Sequence, residues 1–131
     1  MHVLFVEDDP MNRRVVKDML SVAGVEMSEA ADAPIGLAML DTQSFDLILM
    51  DLRMPGMDGL AAIREIRART DAVATTPIIV VTADTSLDLQ TRCHAAGADD
   101  LLRKPVAMNL LFDAIAKALA ERPSSAAAVL A

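Results

Sequence analysis

The sequence is poor in the features that mark secreted or membrane-embedded proteins. It contains one cysteine, Cys93, which excludes an internal disulfide bond and favours a cytoplasmic protein. No apolar run approaches the roughly 20 residues of a membrane-spanning helix, so we expect no insertion into a membrane. No basic segment precedes the short apolar run near the start, so we expect no secretory signal.

Positive charge is also scarce. The 131 residues include 12 lysines and arginines against 19 aspartates and glutamates, a formal net charge of −7. This balance argues against direct binding to nucleic acid or to an anionic membrane surface. With 53% hydrophobic and 24% charged residues, the composition is that of a globular domain. We assign residues 1–122 to this domain and expect a flexible C-terminal tail over residues 123–131, which is alanine-rich and low in complexity.

Five short apolar or β-branched runs divide the chain. Their starts are separated by 22, 22, 31 and 22 residues, which is typical of a strand, a helix of about 12 residues and two loops. Several runs are apolar without alternation, as in parallel strands covered by helices on both faces. The predicted strands are Val3–Val6, Val25–Ala30, Leu47–Met50, Ile78–Val81 and Asp100–Arg103.

The segments between the runs carry helix signals. Asp9, Asp32 and Asp58 are predicted N-caps, while Gly24 and Gly97 are predicted stops. The last helix is predicted from about Met108 to Arg122, with Pro123 ending it. The predicted inward faces are Val15, Val16, Met19, Leu20 and Ala23; Ile35, Ala38 and Met39; Leu60, Ile63 and Ile66; Leu89, Cys93 and Ala96; and Leu111, Ile115, Ala118 and Leu119. This alternation predicts an α/β fold, a single (βα)5 domain with an open, doubly wound parallel sheet.

Polar side chains follow four of the five predicted strands. Glu7 and Asp8 follow the first, Asp51 the third, Thr82 the fourth and Lys104 the fifth. Ligands bind beyond the carboxyl ends of the strands in open α/β sheets, so these residues are candidates for one site.

These residue types together indicate phosphoryl transfer. Three neighbouring carboxylates repel one another unless a cation intervenes, and Mg²⁺ binds carboxylates, waters and phosphate oxygens. Lys104 and Thr82 would offer positive charge and a hydrogen-bond donor to anionic oxygens. Asp51 is the best candidate nucleophile, because it projects from the end of an apolar central strand. We interpret Asp9 as a helix cap instead, because Pro10 follows it.

Five segments, in this order and at these strand ends, resemble response-regulator receiver domains, the family of the chemotaxis regulator. The resemblance covers nearly all of residues 1–122. It implies a flavodoxin-like strand order of 2-1-3-4-5. The segments are Val6-Glu7-Asp8-Asp9, Asp51-Leu-Arg-Met-Pro-Gly-Met-Asp-Gly59, Val81-Thr82-Ala83, Gly97-Ala98-Asp99-Asp100 and Lys104-Pro105.

The resemblance implies a phosphoacceptor rather than a turnover enzyme. Asp51 would take a phosphoryl group from the phosphohistidine of a sensor histidine kinase or a histidine phosphotransfer protein, and the domain would promote only its own phosphorylation and slow dephosphorylation. The family's Mg²⁺ (or Mn²⁺) ligands correspond here to Glu7, Asp8, Asp51 and the backbone carbonyl of Arg53. Thr82 and Lys104 would contact the phosphoryl oxygens. The Lys104–Pro105 peptide bond would be cis, and Pro55 and Gly59 would shape the loop after Asp51.

This chain departs from the family at the position of an aromatic switch residue. Leu101 stands there, and it cannot make the hydrogen bond that a tyrosine makes. Arg53 and Asp84 occupy two variable positions that tune phosphate lifetime in the family. They would either pair across the mouth of the site and hinder water, or be solvated.

The resemblance also concerns surfaces and context. Helix 4, strand 5 and helix 5 would form the switching surface and, if the protein is not a monomer, a weak dimer interface. The segment Pro10-Met11-Asn12-Arg13 is similar to receivers in hybrid kinases and multistep relays. The sequence is therefore compatible with a standalone regulator or with part of a longer kinase.

Three other functions stay open at this stage. A haloacid-dehalogenase-type phosphatase also uses an aspartyl nucleophile and Mg²⁺, but it would want Asp-x-Asp after the first strand, where this chain has Glu7-Asp8-Asp9. A flavodoxin-like cofactor carrier would want a phosphate-binding loop that is missing there. A receiver-fold interaction module that is never phosphorylated would not need the acidic residues, Thr82 and Lys104.

Overall fold

A computed structural model of the protein describes residues 1–121. Five parallel strands form one sheet in the order β2-β1-β3-β4-β5, which confirms the predicted topology. The proposed domain boundary at residue 122, the end of the last helix at Arg122 and Pro123, and the tail over 123–131 lie outside the described residues. The strands are β1 His2–Val6, β2 Glu26–Ala30, β3 Leu47–Asp51, β4 Ile78–Thr82 and β5 Asp100–Arg103.

Five α-helices alternate with the strands, as the sequence pattern predicts. Each of the three predicted N-caps accepts a backbone N–H with its side chain: Asp9 from Met11, Asp32 from Ile35, and Asp58 from Ala61. A 3-10 helix, Ala72–Thr75, was not predicted, and it occupies part of the longer spacing before β4. The helices are α1 Pro10–Val22, α2 Ala33–Thr42, α3 Gly59–Arg67, α4 Leu89–Ala96 and α5 Met108–Glu121.

The core has two halves, one on each face of the sheet. Leu4 and Val6 point to the half that contains residues of α2, α3 and α4, while Val3 and Phe5 point to the half that contains residues of α1 and α5. Every residue of β3 and β4 is buried. Central strands buried on both faces explain the unalternating apolar runs in the sequence.

The predicted inward face of α2 is wrong at Ile35 and Ala38, whereas Met39 is half-buried and packs against the core. Ile35 is 47% exposed and Ala38 is also exposed. The helix turns Gly36 toward β1 instead, and a Cβ atom at Gly36 would lie only 2.7 Å from Cγ2 of Val6. The missing side chain lets the helix approach the strand closely, so the buried positions are Ala33, Gly36 and Leu40.

The predicted face of α1 is too wide. Val16 and Leu20 are buried, but Val15 is 42% exposed and Ala23 is exposed. Successive residues differ by about 100° around a helix, so a contact stripe centred on Val16 and Leu20 leaves Val15 outside it.

Within residues 1–121, none of the helices combines the length and the apolar character needed to cross a bilayer. All five strands run in the same direction, so their carboxyl ends share one edge of the sheet. The residues that end β3 and β4, Asp51 and Thr82, meet there with residues that follow β1 and β5.

Candidate functional site

Three carboxylates converge beyond the ends of β1 and β3. Glu7, Asp8 and Asp51 each offer one oxygen atom, and these atoms all lie within 4.8 Å of one another. Glu7 and Asp51 are buried and Asp8 is exposed, so this acidic cluster opens to solvent on one side. Oxygen atoms at this spacing form a ligand set that suits a hard divalent cation.

Asp51 is the last residue of β3, and the backbone around it fixes its position. It pairs with Val81 of β4 in the sheet, and its Oδ1 accepts a 3.4 Å hydrogen bond from the Arg53 N–H. Gly59, at the start of α3, lies against it: a Cβ atom there would lie 2.3 Å from the Asp51 carbonyl oxygen. Only glycine permits this close approach of α3 to the end of β3.

Lys104 joins the acidic cluster from the end of β5. Its Nζ lies 2.6 Å from Glu7 Oε1 and 3.5 Å from Asp51 Oδ1. The Lys104 backbone N–H donates to the Thr82 carbonyl at 2.8 Å, which ties the residue to β4. The Lys104–Pro105 peptide bond is cis, as the resemblance implied.

The pKa values of the two buried carboxylates shift in opposite directions. Burial, together with the nearby Glu7, raises the pKa of Asp51 from 3.8 to about 7. Burial also acts to raise the pKa of Glu7, but hydrogen bonds with Asp51, Lys104 and Asn12 lower it overall. Burial acts to lower the pKa of Lys104, but the two carboxylates outweigh this effect and raise it. In the absence of a cation, the pair therefore favours an ionised Glu7 and a protonated Asp51 below about pH 7, with Asp51 about half protonated at neutral pH.

Among residues 1–121, one carboxylate oxygen of Glu7 has no hydrogen-bond donor. Within the part of the chain that the structure describes, Glu7 Oε2 is buried and receives no hydrogen bond. A buried carboxylate oxygen without a partner is costly in a folded protein. A divalent cation held by the acidic cluster would satisfy it, so the residues present fit a metal site.

Thr82 and Asp84 form the side of the site at the end of β4. The buried Thr82 Oγ1 accepts the Asp84 N–H at 3.1 Å. Arg53 pairs with Asp84 across the mouth of the site (Nη2 to Oδ2, 3.3 Å), although the Arg53 side chain stays 77% exposed. Hydrogen bonds from Ser86, reinforced by Arg53, lower the pKa of Asp84 to about 2. Arg103 also donates to the Asp84 carbonyl oxygen.

Leu101 and Cys93 belong to the hydrophobic core rather than to the acidic cluster. Leu101 is half-buried and packs against the core on the α4 side, so its side chain is an apolar contact of β5. Cys93 is buried and burial raises the pKa of its thiol, which agrees with the core-packing role favoured by its apolar helix stripe.

Sequence reasoning missed the contacts that α1 makes with Glu7. Asn12 Nδ2 donates to Glu7 Oε1 at 2.7 Å, and Arg13 Nη1 donates to the Glu7 carbonyl oxygen at 2.7 Å. Both donors lie in the first turn of the helix that follows Glu7. The sequence feature that could have indicated these contacts is the single residue, Asp8, between Glu7 and the cap Asp9. So short a connection keeps the first turn of α1 close to the end of β1.

Comparison with known sequences places this arrangement in a family. The sequence matches the response regulator receiver domain family over residues 3–116. It is 35% identical over 116 residues to the sensor histidine kinase RcsC of Salmonella typhimurium, and 39% identical over 116 residues to the sensor histidine kinase AruS of Pseudomonas aeruginosa. Each match covers 88% of this chain but only 12% of the length of the kinase.

Solved structures of receiver domains resemble this chain as well. The chain resembles the receiver domain of sensor histidine kinase PA1611 from Pseudomonas aeruginosa PAO1, whose structure has a magnesium ion coordinated in the active site cleft; the identity is 34%, the TM-score 0.82, and the match covers 91% of this chain and 97% of that one. It also resembles the chemotaxis protein CheY4 of Vibrio cholerae, at 32% identity and a TM-score of 0.82 over 90% and 98% of the two chains. The chain belongs to the response regulator receiver domains of two-component signalling systems.

Proposed function

We propose that this receiver domain takes a phosphoryl group from a phosphohistidine onto Asp51. An Oδ atom of Asp51 attacks phosphorus, an O–P bond forms, and the P–N bond of the donor breaks. The electron pair of that bond stays on the imidazole nitrogen, which takes up a proton. Asp51 then carries an acyl phosphate, the form that transmits the signal.

The observation that carries this proposal is the convergence of Asp51, Lys104 and the rest of the acidic cluster at one edge of the sheet. Phosphoryl transfer depends on positioning and charge neutralisation more than on complex bond-making. Asp51 is held by the backbone of β3 and by the close approach of Gly59. Lys104 Nζ lies 3.5 Å from Asp51 Oδ1, so its positive charge lies beside the carboxylate that would accept the phosphoryl group.

The proposal includes Mg²⁺, or Mn²⁺ in its place, at the acidic cluster. Glu7, Asp8, Asp51 and the Arg53 carbonyl would hold it, which the unpartnered Glu7 Oε2 and the magnesium-bearing relative support. Such a cation neutralises the negative charge that gathers when phosphate approaches carboxylates. It would also favour the ionised form of Asp51, which is the nucleophilic form.

Thr82 and Lys104 would bind the phosphoryl oxygens after transfer. The Thr82 hydroxyl accepts the Asp84 N–H, so reorienting it toward phosphate would pull on the loop after β4. This loop leads into α4, and the responding surface would consist of α4, β5 and α5, with Leu101 in place of an aromatic switch. The Arg53–Asp84 pair, together with Pro105 beside Lys104, would tune access to the acyl phosphate.

The partners belong to the proposal as well. Receiver domains of kinases and regulators imply a histidine kinase or a histidine phosphotransfer protein as phosphoryl donor. We place this exchange in the cytoplasm and expect a monomer or a weak dimer through the α4, β5 and α5 surface. The proposal extends to a domain that works within a larger kinase, which the much longer related kinases support.

A phosphotransfer profile tests the proposal. Purified protein is mixed with radiolabelled phosphohistidine donors, with Mg²⁺ or with EDTA. We expect single-turnover labelling with Mg²⁺ that EDTA abolishes. Steady turnover of a small phosphate ester would favour a phosphatase instead, and absence of label with every donor and with acetyl phosphate would favour an interaction module that is never phosphorylated.

Asp51→Asn and Asp9→Asn form a matched pair for this test. Asp51→Asn should fold but take no label. Asp9→Asn should be labelled normally, because asparagine also caps helices and Asp9 already serves as the cap of α1. Labelling of Asp51→Asn at the wild-type level would contradict the assignment.

A further inference from the structure

We propose that Asn12 is a positioning residue for the acidic cluster. Its side-chain amide holds Glu7 so that one carboxylate oxygen stays free for the cation. This inference rests on the metal site proposed above and assigns a role to a residue outside the set of ligands.

Two donors converge on the same oxygen of Glu7. Asn12 Nδ2 lies 2.7 Å and Lys104 Nζ lies 2.6 Å from Glu7 Oε1. Oε2 receives no hydrogen bond from the described residues. A terminal carboxylate rotates in a broad, two-fold well, so one donor alone could bind either oxygen. Two donors on Oε1 fix the plane of the Glu7 carboxylate and leave Oε2 free to bind the cation.

Asn12 is the steadier of the two donors. It lies in the first turn of α1, which begins at Pro10 and is capped by Asp9 through a 2.9 Å hydrogen bond. Lys104 has a long, flexible stem and also lies 3.5 Å from Asp51 Oδ1. When a phosphoryl group is attached to Asp51, Lys104 is expected to turn toward its oxygens, and Asn12 then remains as the donor to Glu7.

The charge of the surrounding donors also suits a cation. The Asn12 amide is neutral, so it stabilises the Glu7 carboxylate without placing a competing cation beside it. Arg13 donates to the Glu7 carbonyl oxygen, and its charge is paired with Glu29 of β2 at 3.1 Å. The first turn of α1 therefore holds both the backbone and the side chain of Glu7. Residues that orient metal ligands in this way typically change metal affinity 10- to 100-fold when they are removed.

The test compares Mg²⁺ affinity with stability. Asn12→Ala and the similarly shaped Asn12→Leu are titrated with Mg²⁺ by calorimetry, and each variant is unfolded with urea in EDTA. We expect the Mg²⁺ dissociation constant to rise roughly tenfold or more in both variants. Arg14→Ala on the same helix is the control, because Arg14 is exposed and pairs with the exposed Asp18 one turn further along α1. Its Mg²⁺ affinity should equal that of the wild type.

A second variant separates positioning from a general structural role. In Lys104→Ala, Asn12 is the remaining donor to Glu7 Oε1, so adding Asn12→Ala should weaken Mg²⁺ binding more than it does in the wild type. Lower stability in EDTA with an unchanged Mg²⁺ dissociation constant would overturn the inference while leaving the proposed function intact. Failure of the wild-type protein to bind Mg²⁺ would overturn both.

Discussion

At the scale of single residues, the decisive property is the protonation of Asp51. Burial and the neighbouring Glu7 raise its pKa to about 7, so the cation-free site holds much of Asp51 in its protonated, non-nucleophilic form. Lys104 acts in the opposite direction, but it is engaged mainly with Glu7, at 2.6 Å. In the proposed function, a bound cation would therefore be needed to keep Asp51 in its ionised, nucleophilic form.

Removal of the Lys104 ammonium should separate metal binding from phosphorylation. Lys104→Ala deletes a cation that competes for Glu7 and Asp51, while Asn12 still holds Glu7 Oε1, so we expect Mg²⁺ affinity to be retained or increased. Loss of a charged hydrogen bond to phosphate costs about 1.5–3 kcal/mol, which predicts roughly 10- to 100-fold slower phosphorylation. Rates from acetyl phosphate and amide NMR shifts of α4 and β5 are the measurements.

Lys17→Ala is the control for this prediction, because Lys17 is an exposed lysine of α1 that pairs with Glu29. It should behave as the wild type does. Unchanged phosphorylation and switching in Lys104→Ala would show that Lys104 is only a loop charge.

At the scale of elements, local signals were predictable and close approaches were not. The caps Asp9, Asp32 and Asp58 depend on a few neighbouring residues, so the sequence was sufficient to find them. The inward face of α2 depends on Gly36 meeting Val6 of another element, so a hydrophobicity pattern chose Ile35 wrongly. The polar residues at strand ends were predictable because parallel strands share a carboxyl edge, whereas the Asn12–Glu7 contact required the path of the loop.

Contact between α3 and the end of β3 should be essential for the position of Asp51. In Gly59→Ala the new Cβ would meet the Asp51 carbonyl oxygen at 2.3 Å and Leu52 Cα at 2.9 Å, so backbone must move. Overpacking of this kind costs roughly 1–3 kcal/mol, and we expect phosphorylation to slow as well. Urea unfolding and phosphorylation rates measure the two effects.

Gly24→Ala provides a comparison with backbone strain alone. Gly24 has φ +71° and no atom within 4 Å of an added Cβ, so alanine there costs roughly 1–2 kcal/mol. Its phosphorylation rate should be normal. An equally normal rate in Gly59→Ala would contradict the proposed role of the α3 contact.

At the scale of the whole molecule, the doubly wound sheet has buried central strands and carries the candidate site at the carboxyl ends of its strands. β3 and β4 are buried along their length, so Asp51 and Thr82 project from the most constrained part of the fold. The net charge of −7 repels an anionic phosphoryl group and so opposes its approach to the acidic cluster. The chain spans 12% of the length of the related kinases RcsC and AruS.

The pH dependence of global stability follows from Asp51. Its pKa is raised on folding, so the folded state binds more protons than the unfolded state between about pH 4.5 and 7. Stability without a metal should therefore fall as pH rises through this window, by about 3 kcal/mol. Glu7, whose pKa is lowered, contributes only below this window. Urea unfolding in EDTA at several pH values measures the slope.

Asp51→Asn should remove this slope, and saturating Mg²⁺ should reduce it in the wild type, because a cation favours the ionised carboxylate. A wild-type protein that becomes more stable from pH 4.5 to 7 in EDTA would contradict the raised pKa of Asp51.

The chemical identity of the phosphorylated residue is the most direct test. Protein labelled by a phosphohistidine donor in the presence of Mg²⁺ is digested and mapped by tandem mass spectrometry, after trapping of the acyl phosphate. We predict a single modified residue, Asp51, and none at Asp8 or Asp9. A phosphoryl group on either neighbouring carboxylate, or on a serine or threonine, would contradict the proposed mechanism.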